Sequence, residues 1–167
     1  MRNMKNARTH KGLILLMAGC LLLALPAVSR AGDTKSLDVW NDPATGLAWT
    51  SRDNGSNLDW NEAKNYCRAL DLGARHEWRL PSIDELHAIF DASASDTFIF
   101  NTVPYKYHIK GGIMLTGFTH WSATQEPSGP AAAWLFDFLD GMDGTRVSSR
   151  VGNRSNTRAL CVLGSSK

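Results

Sequence analysis

Cysteine is scarce in this 167-residue chain, with only Cys20, Cys67 and Cys161. So few thiols exclude a small scaffold stapled by several disulfides. Long apolar runs are equally scarce. Residues 12–25 form the only one, and about 14 residues fall short of the roughly 20 that cross a membrane comfortably. An excess of one charge is missing as well. Of 18 basic and 16 acidic side chains, five basic ones (Arg2, Lys5, Arg8, Lys11, Arg30) and no acid precede Gly32. The remainder stands at 13 against 16, a net charge of −3. No basic face is left to neutralise phosphates, which excludes nucleic acid as a partner. His76, His87, His108 and His120 have no His-x-x-x-His metal spacing, and Ser122 lacks an elbow motif and a paired base. Catalysis is not expected. Internal repeats, heptads and low-complexity tracts are absent too, so one ordinary domain is the expectation.

What is present begins with an address. A basic start, the apolar run and Pro26-Ala27-Val28-Ser29-Arg30-Ala31 read as a secretory signal peptide over residues 1–31, cleaved after Ala31 or after Ser29. Met17-Ala18-Gly19-Cys20 offers the alternative of a lipobox, with Cys20 lipidated. Either way the expectation is export, to the periplasm or beyond, with no membrane span in the mature protein. Residues 32–38 read as a lead-in, 39–164 as the domain and 165–167 as a tail. Cys67 and Cys161 are expected to form one disulfide, stapling an early helix to a final strand and persisting only in an oxidising compartment.

Two short helices stand out. Asp59 with Glu62, and Ser82 with Glu85 after Pro81, are capping boxes. Ala63, Tyr66, Cys67 and Leu70 then share one face, and Gly73 is the expected stop. Ile83, Leu86, Ile89 and Phe90 make the apolar stripe of the second helix. Strands are expected at residues 47–50, 120–124, 133–139, 145–148 and 157–163. Trp134, Phe136 and Phe138 are expected on one side of the fourth-quarter strand at 133–139, with Asp137 on the other. Helices first and short antiparallel strands later argue for an α+β domain. Residues 91–118 have weak periodicity, with pieces of strand expected at Phe98-Ile99-Phe100 and at Gly111-Gly112-Ile113-Met114-Leu115, and residues 125–130 read as a loop. Long irregular segments in compact domains are often functional.

These residues carry a family resemblance. Thr45-Gly46-Leu47-Ala48-Trp49, Trp60-Asn61-Glu62-Ala63, Cys67, Trp78-Arg79-Leu80-Pro81 with Glu85-Leu86, Trp121-Ser122-Ala123-Thr124 and Arg158-Ala159-Leu160-Cys161-Val162 stand in order. The set resembles the C-terminal domain of the Legionella collagen-like adhesin, over residues 39–163. The resemblance implies a C-type-lectin-like fold, in which a disulfide pins an early helix to the last strand. It implies no catalytic residues, and the sequence shows no Gly-X-Y tract to carry over the adhesin's stalk.

The function expected on these grounds is an exported, non-catalytic recognition module. Its long loops would bind a polysaccharide, glycosaminoglycan or protein outside the cytoplasm. The alternative is a structural or assembly component of the bacterial envelope that binds a partner protein. Candidate ligand contacts are Lys106, His108 and Lys110, then Trp134, then Arg146 and Arg150 with Arg154 and Arg158. Trp49, Trp60, Trp78 and Trp121 are expected in the core, and Arg79 is expected to tie loop carbonyls or a carboxylate. No cofactor is expected. Calcium wants six to eight oxygens. Glu126-Pro127-Ser128 and Trp134-Leu135-Phe136-Asp137 resemble calcium-lectin loops only superficially, which leaves Asp137, Asp140 and Asp143 as a weak cluster better read as turn acids.

Overall fold

The two helices start where their capping signals stand. α1 (Trp60–Arg68) and α2 (Ile83–Ile89) each open on a capping box. The Asp59 carboxylate accepts from the Glu62 amide and Glu62 accepts from the Asp59 amide, both at 2.9 Å. Ser82 and Glu85 repeat the exchange at 3.2 and 2.8 Å. Each helix is too short to stand alone in water, so packing holds it. Ala63 and Cys67 of α1, and Leu86 and Ile89 of α2, are fully buried. α1 closes at Ala69, short of the expected stop at Gly73. Gly73 turns the chain further on, beside the Leu72 and Arg75 bridge.

The computed structural model describes residues 39–125, 127, 132–144 and 157–165. The signal peptide, the lead-in, Cys20, the expected strand at 145–148 and most of the loop at 125–130 lie outside them. Among the described residues there are three small sheets. β1 (Val39–Asn41), β2 (Ala48–Thr50) and β9 (Val162–Leu163) form one, with β2 central. β3 (Asp96–Phe100) and β4 (Val103–Tyr107) form a separate hairpin. The third sheet has the order β7-β6-β5-β8, from β5 (Thr119–Gln125), β6 (Ala133–Asp137), β7 (Asp143–Gly144) and β8 (Thr157–Arg158). The fold is α+β, as expected, and mostly antiparallel. The exception is β5 against β8, which run parallel. Among the described residues no helix is long and apolar enough to cross a membrane.

Three strand expectations need correction. Residues 157–163 make two strands in two different sheets instead of one, and Cys161 lies in the crossing between them. Residues 133–139 do not alternate buried and exposed. Leu135 joins one buried cluster while Phe136 and Phe138 join the other, so β6 is a wall shared by both and Trp134 is only half-buried. A strand packed on both faces loses its period-2 signal. Within the weakly periodic segment the strand piece expected at 98–100 lies in β3, the one expected at 111–115 begins instead in a single 3-10 turn at Lys110–Gly112, and the partner strand β4 is not among the expected ones. The hairpin's two turn residues, Asn101 and Thr102, both have positive φ (48° and 68°), the geometry that suits the twist of a two-residue hairpin. Asn tolerates that region, but β-branched Thr seldom marks it, and Pro104 further masks the second strand.

The cysteines pair as expected. Their Cα atoms are 5.5 Å apart across 94 residues of sequence. The bridge is fully buried beside Trp78 and Trp121, so it fastens α1 to the chain's last crossing from inside the core.

Candidate functional site

The tryptophans divide by role. Trp49, Trp78 and Trp121 are at most 1% exposed, and Trp60 is half-buried with its indole N–H donating to the Ser122 carbonyl at 2.8 Å. Trp78 and Trp121 donate to the Arg75 and Leu58 carbonyls. The Trp49 indole N–H has no hydrogen-bond partner among the described residues. Arg79 is the expected tie. Its guanidinium meets both Glu85 oxygens at 2.8 and 2.7 Å and reaches the Leu80 and Gly164 carbonyls. Nε also donates to Gly164 at 3.1 Å, so all five N–H donors are engaged. Those hydrogen bonds to Glu85 raise its pKa further above the ordinary arginine value.

The residues singled out as ligand contacts fare unevenly. Lys106 is exposed on β4, opposite Thr97. His108 is half-buried, one ring nitrogen 2.6 Å from the Ala94 carbonyl. Lys110 donates to the Ala88 carbonyl at 2.6 Å, capping the end of α2 where a cation suits the helix dipole. Two of the trio therefore fasten loops, and the Lys106 side chain has no partner among the described residues. Arg158 also fastens, holding Asn57 and the Thr116 hydroxyl. Arg146, Arg150 and Arg154 lie outside the described residues.

The acids behave as turn acids. Asp137 accepts from the Leu139 amide at 2.8 Å and Asp140 from the Met142 amide at 2.9 Å. Burial raises the Asp137 pKa, and the charge of Asp140 adds to the rise. The Asp143 side chain lies outside the described atoms. Among the described residues no three His, Cys, Asp or Glu side chains converge as a metal site.

Burial builds a second hub. Asp53 and His120 are wholly buried, with Nε2 3.2 Å from the carboxylate. Asp53 also accepts from the Gly55 amide and from the amide and hydroxyl of Thr116. Burial pushes its pKa up, but the hydrogen bond and charge of His120, with the Thr116 bonds, bring it below the ordinary carboxylate value. A carboxylate is acceptor-only, so Nε2 carries the proton in this pair. Asp53 and Thr116 of the hub also line an open cavity of about 290 Å³, together with Arg52, Asn54 and Tyr66.

A more suggestive surface lies on α1. Trp60, Lys64 and Arg68 recur every four residues and so share one helix face. The Lys64 ammonium sits 3.3 Å from the centre of the Trp60 ring, a cation–π contact. Partial burial, then the charge of Arg68, lower the Lys64 pKa from its ordinary value. Lys64 and Arg68, with Arg79, Leu80, Ser82 and Ala123, line an open cavity of about 240 Å³. The sequence carried this signal in Trp60-x-x-x-Lys64-x-x-x-Arg68, but reading the helix for its buried face passed over its outer one.

A family described as the Lcl C-terminal domain matches residues 38–162. No curated protein sequence matches the chain, and no solved structure does.

Proposed function

The chain belongs to the Lcl C-terminal domain family, and from that premise we propose that this adhesin-like domain is an exported, non-catalytic recognition module. Its ligand is a polysaccharide, a glycosaminoglycan or a protein met outside the cytoplasm, held by side chains on a rigid, C-type-lectin-like scaffold. The observation that carries the reading is the family match across nearly the whole described fold. The buried Cys67–Cys161 bridge supports export, since such bonds persist in oxidising compartments. Rigidity favours recognition because little ordering entropy remains to be lost on binding.

One observation favours a second reading, an envelope assembly component. The tip of the β3/β4 hairpin exposes Ile99 (66%) and Val103 (47%), apolar groups that suit a partner protein. Retention of the purified, oxidised protein on immobilised polysaccharides separates the two. Saturable retention supports recognition; no retention, with stable association to one envelope protein, supports assembly.

A further inference from the structure

Asn54-Gly55 is the one Asn-Gly step in the chain, and its polar groups are all held. The Asn54 main-chain N–H donates to the Ala159 carbonyl at 3.0 Å, and its side-chain Oδ1 accepts from the Ala159 amide at 2.7 Å. Nδ2 donates to the Ser56 carbonyl and hydroxyl at 2.7 and 2.9 Å. The Gly55 N–H donates to Asp53 Oδ1 at 3.0 Å. Asn54 thus clamps the crossing between β8 and β9, just before Cys161. An Asn-Gly step also has a chemistry of its own. The Gly55 nitrogen, once deprotonated, attacks the Asn54 side-chain carbonyl carbon. The new C–N bond closes a cyclic imide, and the side-chain nitrogen leaves as ammonia with the proton that Gly55 lost. Water then opens the imide to aspartate or isoaspartate. Water has access, because Asn54 and Gly55 line the open cavity beside the hub and Gly55 is exposed.

We propose that Asn54-Gly55 is a deamidation site that the Asp53 hub keeps closed and that reacts when the hub opens locally. Closing the imide requires the Asn54 amide to swing onto the Gly55 nitrogen, which breaks its bonds to Ala159 and Ser56. The Asp53 carboxylate holds the Gly55 proton and opposes the negative charge that losing it would create. Asp53 is itself held by Thr116 and His120. Residues 51–59 belong to none of the named helices and strands, so these bonds place the segment, and such segments open more readily than a core. The reaction runs one way and records the opening. Aspartate at this position sets an acceptor against the Ser56 carbonyl where Nδ2 donated. Isoaspartate adds a methylene to the main chain, which pulls Gly55 off Asp53 and Leu58 off the Thr157 carbonyl. The proposal is independent of the recognition reading.

The test is peptide mapping by mass spectrometry, which reads the amide-to-acid change at Asn54 in the oxidised protein held in mildly alkaline buffer. Folded wild type is compared with wild type unfolded in guanidinium and with three folded variants: Asp53→Ala, the milder Thr116→Val, and Arg79→Lys. Unfolding is expected to speed conversion at least about tenfold, because the reaction follows the population of the open form. Asp53→Ala and Thr116→Val are expected to speed it at least about threefold in the folded protein, by raising that population locally. Arg79→Lys weakens a tie elsewhere and is expected to stay within about twofold of wild type. Equal rates in folded and unfolded wild type overturn the gate, and no conversion in the unfolded chain overturns the site. If Asp53→Ala and Thr116→Val react no faster than Arg79→Lys, opening is global and the hub's part is overturned. Should Asp53→Ala fail to fold, Thr116→Val decides the hub's part alone.

Discussion

Arg79 closes on Glu85 in a two-pronged pair, and the same guanidinium holds the carbonyl of Gly164 at 2.6 Å. One side chain thus joins the segment before α2, the first turn of α2 and the residue after β9. The fork matters more than the charge, because an ammonium cannot span two carboxylate oxygens and two carbonyls. Arg79→Lys is expected to cost about 2 kcal/mol, the scale of hydrogen bonds to a charged and largely buried partner. Urea unfolding at neutral pH measures it, and an unchanged midpoint would contradict the role.

Cys67 and Cys161 close a loop of 94 residues. Chain entropy for a loop that long sets the stabilisation at about 4–5 kcal/mol. Reduction, or Cys67→Ala, is expected to lower the melting temperature and the exported yield. Equal melting with and without reductant would refute this.

Asp53 gives the fold a defined weakness in acid. Its folded pKa lies below the ordinary carboxylate value, so its share of stability is full above about pH 4 and drains as pH falls through the folded value. Wild type should therefore melt progressively lower below pH 4. Asp53→Asn should melt lower at pH 7 and respond less steeply in that acid range. Parallel curves for the two proteins would rule this out.

Gly111 is expected to tolerate no side chain. It has φ +73°, and an added Cβ would meet the Trp40 ring at 2.2 Å. Gly111→Ala should cost about 2–4 kcal/mol, combining left-handed strain with overpacking. Chemical denaturation reads it directly, and a loss under about 0.5 kcal/mol would show that Trp40 moves aside freely.

Local chemistry explains what was legible in the sequence. Asp59 with Glu62 and Ser82 with Glu85 announced both helices because capping is a short-range device. Cys67, Cys161 and the core tryptophans were legible because their types leave few other roles. Of the β3/β4 hairpin only Phe98-Ile99-Phe100 was legible as strand; the turn and β4 were not, since Asn101-Thr102 and Pro104 are poor signals for a tight turn and a strand. Residues 157–163 read as one strand because nothing local records a chain crossing between sheets. The ligand surface was sought in the loops, where His108 and Lys110 turn out to hold Ala94 and Ala88. The Trp60, Lys64 and Arg68 face of α1 lay in plain spacing beneath a stronger signal for burial.

The central claim is that this domain recognises a ligand outside the cytoplasm. The most direct test is a glycan array probed with the purified, oxidised protein, with calcium and with a chelator. The account predicts salt-sensitive binding to acidic glycans that is the same in both conditions. Binding that vanishes with the chelator would contradict the calcium-independent reading of Asp137 and Asp140, and a blank array would contradict glycan recognition itself.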